Sequence, residues 1–439
     1  MAYVQLGDIC NIVKGEIGIT KAIPGDFSMV TTGEFRKSHN EFQLDTKAIL
    51  VPLVSATGHG HASIKRIHYQ EGKFAFGSIL AACIPRNENY SAKFLYIYFN
   101  LMKDYVLVPL MKGSANVSLT LGNLKKAKVP DISLEIQLKI VALYSKIKIE
   151  QDKATDLLIN QKDDIVSLRQ SILQEAVEGR LTADWRANNP DTEDASILLK
   201  RIQKEKAQLV KDKKIKKEKA LPKTTKDEIP YELPLSWIWV KLGQVSSLIN
   251  GDRGKNYPSK EHYIPEGIPF ITARNLGERY LKHDALNYIS EERYNLLRSG
   301  QVQLNDILYC LRGSLGKCSI VEGIEQGAIA SSLVIVRIAE LVDSIYMLNY
   351  FSSSLGKQMI YKHDNGTAQP NLSASNVKEF YLPLPPLEEQ KAIVQKVNAL
   401  MGLCDSLEQE VQQSQEHSAQ LMQSCLREVF EGERKTVEI

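Results

Sequence analysis

The sequence predicts an α+β protein built twice over, two mixed α/β modules each followed by a long helix. Three observations predict it. Residues 134–179 and 387–432 are heptad-patterned and align without a gap at an offset of 253 residues. Residues 168–181 face 421–434 with seven of fourteen pairs identical, and Leu134-Glu-Ile-Gln137 faces Leu387-Glu-Glu-Gln390. The segments before these helices also open alike, Tyr3-Val-Gln-Leu-Gly7 against Trp239-Val-Lys-Leu-Gly243. They close alike as well, residues 113–120 against 366–373.

The helices come from counting. Alternating steps of four and three from Ile140 reach Tyr144, Ile147, Gln151, Ala154, Leu158, Gln161, Ile165, Leu168 and Ile172. From Ile393 they reach Val397, Leu400, Cys404, Leu407, Val411, Ser414, Ser418, Leu421 and Cys425. A mostly apolar seam at 3.5-residue spacing is that of a two-helix coiled coil, and each helix finds its nearest partner in its own repeat. At ~1.5 Å per residue, each helix is a rod of roughly 65 Å.

The first module (1–133) offers strands at 28–32, 48–51 and 73–76, a helix at 91–103 and a last strand at 127–130. Gly and Pro punctuate it without a βαβ rhythm. Gly179 caps the first long helix. A loop at 181–190, a solvent-facing basic helix at 193–219 and a proline-broken linker make up residues 180–236. The second module (237–386) offers strands at 269–273, 306–310 and 328–337 and a helix at 344–362; a tail, 433–439, follows the second long helix.

A length of 439 residues exceeds what one core serves. No apolar run reaches the ~20 residues of a membrane span, and Met-Ala-Tyr-Val-Gln-Leu-Gly has neither part of a signal peptide. Six cysteines without Cys-x-x-Cys spacing indicate buried, reduced thiols and a reducing cytoplasm. The net charge of +3 conceals a block between Lys200 and Lys226 with twelve Lys or Arg against three acids. Composition leaves a solvated helix and a nucleic-acid patch equally open for that block.

Catalytic patterns fail. Leu311-Arg-Gly-Ser-Leu-Gly-Lys-Cys318 lacks the first glycine and the final Ser or Thr of a phosphate loop. His59, His61 and His68 have no Cys or acid at metal spacing. No nucleophile elbow, dinucleotide fingerprint or amino-methyltransferase loop is present. The sequence therefore indicates no catalytic residue, no metal site and no cofactor of its own.

The chain resembles the specificity (S, or HsdS) subunits of Type I restriction-modification systems. The resemblance rests on Leu233-Pro-Leu-Ser-Trp237-Ile-Trp-Val-Lys-Leu-Gly243, on Pro383-Leu-Pro-Pro386-Leu-Glu-Glu-Gln390, and on Leu181-Thr-Ala-Asp-Trp185-Arg-x-x-Asn-Pro190. The order of module and helix, repeated, extends it over essentially the whole chain. One departure is Val129-Pro-Asp-Ile-Ser133, which lacks the second proline. The resemblance implies two target recognition domains and two conserved helices in an antiparallel coiled coil, related by a pseudo-twofold. It further implies a non-catalytic subunit that reads a bipartite site on double-stranded DNA, one half per domain. Its partners would be two methyltransferase subunits and, through them, translocase-nuclease subunits. S-adenosylmethionine, ATP and Mg would belong to those partners.

Base edges are read by Arg, Lys, Asn and Gln, and phosphates are held by Lys, Arg, Ser and Thr. On that chemistry the loops of the first module offer Lys14, Lys21, Thr57, His59, Lys65, Arg66, Lys112 and Asn116. The second offers Arg253, Lys255, Asn256, Tyr257, Arg274, Asn275, Arg312, Ser314, Lys317, Gln369 and Asn371. Trp185, Trp237 and Trp239 read as packing anchors. The alternative from another class is a coiled-coil scaffold whose repeated modules bind proteins; partner capture without a DNA footprint distinguishes it.

Overall fold

The computed structural model describes residues 2–18, 20, 22–57, 61–114, 116–213, 215, 221–222, 225, 228–363 and 371–435, with 419, 422–423 and 425–435 described by backbone alone. It divides into two compact units, Met1–Gln161 with Glu410–Ile439, and Lys162–Gln409.

The first unit contains β1 (Tyr3–Gln5), α1 (Leu6–Ile9), β2 (Cys10–Lys14), β3 (Phe27–Val30), β4 (Lys37–His39), β5 (Leu44–Asp45), β6 (Ala48–Pro52), β7 (His68–Gln70), β8 (Lys73–Phe76) and β9 (Leu80–Pro85). It continues with α2 (Ala92–Val106), α3 (Leu121–Lys125), β10 (Lys128–Pro130) and the first part of α4 (Leu134–Glu178). The main sheet has the order β2-β9-β6-β7, a second sheet the order β4-β3-β8-β5 with β3 and β8 parallel, and β1 pairs with β10. Strand alternation sorts the core into layers. Ile49, Val51, Ala81 and Cys83 meet Phe94, Leu95, Tyr98 and Phe99 of α2. Ala48, Leu50, Leu80 and Ala82 point the other way, onto Val30, Phe74 and Phe76. Ser91 starts α2 by accepting a hydrogen bond from the Phe94 amide.

The second unit contains α5 (Ala183–Asn188), α6 (Ala195–Lys211), β11 (Ile238–Lys241), α7 (Leu242–Val245), β12 (Ser246–Asn250), β13 (Ile268–Ile271), β14 (Asn287–Ile289), α8 (Glu291–Asn295), β15 (Ile307–Cys310), β16 (Cys318–Ile320), β17 (Ala328–Ile329) and β18 (Leu333–Ile338). There follow α9 (Ser344–Ser352), α10 (Ser354–His363), α11 (Ala374–Lys378), β19 (Tyr381–Leu384) and α12 (Leu387–Lys435). The same topology returns without an equivalent of β5: β12-β18-β15-β16, then β14-β13-β17 with β13 and β17 parallel, then β11 with β19. The strand expected over 328–337 is two strands, because Ala330 and Ser332 bond instead to Ile271 and Leu311. The helix expected over 344–362 breaks at Ser353, which caps α10.

In both units one glutamine docks the long helix on its module. Gln137 is fully buried; it accepts from the amide of Ser91 (2.9 Å) and donates to Ile132 O (3.0 Å). Its repeat-mate Gln390, also fully buried, accepts from the amide of Asp343 (2.8 Å) and donates to Pro385 O (3.1 Å). Ser91 and Asp343 are the N-caps of α2 and α9, so each glutamine joins the two helices of its own module. Tyr98 and Tyr350 tie α2 and α9 to the last strand of each module, donating to Lys128 O of β10 and Tyr381 O of β19.

Within the second unit the long helices run antiparallel. Arg169 bonds Asp405 (2.6 Å) and Glu408 (3.1 Å), while farther along α4 and just past its end Lys396 reaches Leu181 O and Asp184, and Arg186 reaches Glu389. Ile165, Ile172, Ile393 and Val397 are buried and Leu400 half-buried. The seam differs from the strict heptad count. Leu168 and Leu407 are each 44% exposed, and beside Leu168 the less exposed Arg169 turns toward Asp405 and Glu408. Cys404, the heptad position before Leu407, stays buried, as do Ile165 and Ile172 on either side of Leu168, so the stripe is interrupted at these leucines and not shifted. In the first unit Ile140 and Tyr144 pack on the core of the module. There Ile147 and Leu158 are half-buried, Val411 is buried and Leu421 is 67% exposed.

The basic helix is shorter than expected and is not wholly solvated. Leu198 and Ile202 of α6 are fully buried, and Lys206 donates to Gly243 O (2.7 Å) and Ser246 O (2.8 Å). Residues 181–190, expected as loop, contain α5. Gly179 ends α4 at φ +75°, where a Cβ would lie 2.6 Å from Pro234. All three tryptophans serve packing: Trp237 is buried on Glu389, Trp239 lies 5.0 Å from the Tyr231 ring, and Trp185 is half-buried. Cys10, Cys83, Cys310, Cys318 and Cys404 are free and buried, and burial pushes the Cys10 thiol up to about 12. No helix among the described residues is long and apolar enough to cross a membrane.

Replacing Gln137 or Gln390 by Leu strands buried backbone groups in one unit. Each is expected to cost roughly 1–3 kcal/mol, whereas Glu388→Ala, at an exposed neighbour, is close to neutral; denaturant unfolding of the variants measures this.

Candidate nucleic-acid interface

One end of each main sheet collects the polar loops. In the first module β2 ends there at Lys14, β6 runs out at Pro52, and β7 begins just after Lys65 and Arg66. Backbone bonds hold these loops together: Gly15 to Leu80 O (3.0 Å), Leu53 to Ile79 O (2.9 Å) and Ser55 to Val117 O (3.0 Å). Lys112 pairs with Ser118 through both backbone groups, which brings Lys112 and Asn116 to the same end. Lys14, Lys65, Lys112 and Asn116 are exposed. Thr57 is fixed by His61 O (3.2 Å) and the Ser63 hydroxyl (2.9 Å), and Arg66 pairs with Glu34 (3.0 Å). Lys21 and His59 lie outside the described residues.

The turn from β3 to β4 reaches the same end, which sequence reasoning missed. Val30 accepts from the Gly77 amide, and Glu34 meets Arg66. Arg36 in that turn donates to Gln70 (2.9 Å), His68 Nδ1 (3.1 Å) and Tyr69 O (3.1 Å). Burial, then Arg36 and Arg66, push His68 down to about 4, which suits its Nδ1 accepting from Arg36. The only available signal was the turn-forming Thr-Thr-Gly before Glu34.

The second module repeats this end with other residues. Arg253 follows β12 and donates to Ser331 O (3.4 Å), just before β18. Arg312 follows β15 and meets Asn371 both by backbone bridge and by side chain (3.4 Å). Ser314 and Lys317 lie on the exposed β15–β16 turn, which Gly313 and Gly316 make possible at φ +79° and +78°. The Leu372-to-Leu311 backbone bond (3.0 Å) matches Leu119-to-Leu53 (2.8 Å) in the first module, so the two ends are built alike. Asp252 accepts from the amides of Arg298 (2.8 Å) and Gly254 (2.6 Å), which hold its carboxyl below the usual range and anchor the loop carrying Arg253 and exposed Lys255. Arg274 is exposed just past β13. Among the described residues Lys65, Lys112, Lys255, Arg274 and Lys317 form no ion pair.

Three candidates belong to the frame instead. Asn275 is 1% exposed and spends its amide on Thr272 and Ala285 O. Tyr257 packs edge-on against Phe270 at 5.8 Å, and Asn256 donates to Leu296 O (3.1 Å). Gln369 lies outside the described residues.

Residues 1–160 and 234–416 match the family model described as Type I restriction modification DNA specificity domain. The chain is 30% identical over 267 residues to the Escherichia coli Type I restriction enzyme EcoAI specificity subunit, covering 60% of this chain and 44% of that protein. It thus spans less than half the length of that relative. It is 23% identical over 439 residues to the Escherichia coli EcoDI specificity subunit, covering 98% of this chain and 88% of that one. Its fold is similar to the HsdS subunit from Thermoanaerobacter tengcongensis, with a TM-score of 0.53 at 17% identity over 98% of this chain and 96% of that one. A chain from a type I R-M system gives 0.58 at 13% identity, over 98% and 97%. Since the family model covers most of the sequence in two stretches, the chain belongs to the Type I restriction-modification DNA specificity family.

Proposed function

We propose that this chain is the non-catalytic DNA-recognition subunit of a Type I restriction-modification complex. Each module reads one half of a bipartite duplex site through the basic end of its main sheet. The observation that carries this reading is that two modules with different loops gather exposed cations and amides at the same topological end. Lysines there serve phosphates, while Arg274, Arg312 and Asn116 have the donors that base edges require. The two long helices recruit two methyltransferase subunits, since repeated surfaces suit equal partners, and translocase-nuclease subunits join through them. S-adenosylmethionine, ATP and Mg act in those subunits.

Assembled with its methyltransferase, the chain is expected to bind a split site in a salt-sensitive way. Lys65→Ala combined with Lys112→Ala should weaken binding to all sequences and shallow the log–log salt slope by about 2, as two phosphate contacts are lost. Equal binding to every duplex, or partner capture with no footprint, overturns the reading. Exchanging residues 1–131 for those of a relative should change one half-site alone, as read by genome-wide methylation mapping. Inserting four residues after Ala154 in α4 should lengthen the unspecified spacer and leave both half-sites unchanged; an unaltered spacer in the same mapping removes the helix as the ruler.

A further inference from the structure

Phe35 is 84% exposed, against 43% for Phe42. One exposed phenylalanine is ordinary on a surface; this one is braced on both sides. Its predecessor Glu34 is held by Arg66 (3.0 Å), and its successor Arg36 by Gln70, His68 and Tyr69 O. Within the same turn the Gly33 amide bonds the Thr31 hydroxyl (3.2 Å). The ring is therefore presented from a fixed backbone, at the sheet end that carries Lys14, Lys65 and Lys112. Fixing it in advance reduces the ordering cost that binding would otherwise incur.

We propose that Phe35 is the side chain by which the first module enters the base stack of its half-site, opening one step as an apolar wedge. A phenyl ring has no donor or acceptor with which to read a base edge, so its contribution is stacking or wedging, with the surrounding cations on phosphates. The second module differs in the connection that leaves the equivalent strand. There the strand equivalent to β3 is β13, and the side chain exposed just after it is Arg274, which has the donors for an edge contact. The two heads thus use different chemistry in the connections, 31–36 and 272–286, that leave equivalent strands of a common frame.

This inference rests on the DNA-reading function proposed above, and its test separates the two. The site is first established by methylation mapping. The chain assembled with its methyltransferase is then bound to duplexes carrying fluorescent aminopurine at successive positions of the half-site assigned to the first module. The expected result is a fluorescence rise at a step distinct from the methylated base. Phe35→Ala should abolish that rise and weaken cognate binding by about tenfold or more, with unchanged thermal unfolding and unchanged affinity for unrelated duplex; Phe35→Trp should keep both. If Phe35→Ala leaves fluorescence and cognate affinity intact while Lys65→Ala/Lys112→Ala weakens binding, the wedge is wrong and the DNA reading stands. If the lysine variant and the module exchange also have no effect, both fall.

Discussion

The architecture depends on how each long helix leaves its module, and one buried amide fixes that in each half. Gln137 and Gln390 each accept from the N-cap amide of the module's helix and donate to the carbonyl five residues earlier. Both amides are fully buried. A displaced glutamine would leave several buried polar groups unpaired, each at a cost of about 1–3 kcal/mol. The helix therefore has one seating on its module. Apolar packing alone would tolerate sliding; directional bonds do not. The same bonds recur in two units whose interiors share little sequence, so the frame is held by backbone-directed contacts that leave the loops free to change.

That freedom is spent at the far end of the main sheet. Gly15–Leu80, Leu53–Ile79 and Leu119–Leu53 fix the loops of the first module by main-chain bonds, and Leu311–Ser332 and Leu372–Leu311 fix those of the second. Side chains there are thus relieved of structural duty. Val54 stands in the first module where Arg312 stands in the second, each bridging by backbone to the 113–120 or 366–373 segment. The frame specifies where a side chain is shown, not which one. Two heads of one fold can in this way present different chemistry, and within the proposed reading that is how one chain recognises two unlike half-sites.

Much of this was legible in the sequence because it repeats. The apolar runs at 48–51 and 74–76 are strands buried on both faces, and the 253-residue register pairs Gln137 with Gln390. What escaped was short or mixed in polarity. Cys10–Lys14, His68–Gln70 and Cys318–Ile320 carry too few alternating residues to signal a strand, yet tertiary pairing makes them one. The heptad count holds at Ile165, Ile172, Val397 and Cys404 and fails at Leu168 and Leu407, where ion pairs from Arg169 to Asp405 and Glu408 lie that spacing does not reveal. Candidate surface residues divided by burial: composition could not show that Asn275 caps a turn while Arg274, beside it, is free to reach outward.

Leu181-Thr-Ala-Asp-Trp185-Arg186 acquires a physical meaning that no spacing rule supplies. Glu389 is fully buried, and it accepts from Thr182 (2.7 Å), Trp237 Nε1 (2.7 Å) and Arg186. Arg186 also donates to Gly179 O (2.5 Å), the carbonyl of the residue that ends the first long helix. One carboxylate thus joins the end of α4, the turn after it and the first strand of the second module to the start of α12, all inside one unit. Removing one partner from such a cluster costs about 3–5 kcal/mol, because the remaining charge stays buried. The repeat-mate of Glu389 is Ile136, 40% exposed, which can hold no such cluster. The duplication is therefore unequal where the helices begin. Among the described residues the second long helix takes the segment between the repeats onto its first turn, so the antiparallel pairing seen there is imposed by a charge network as well as by the apolar seam.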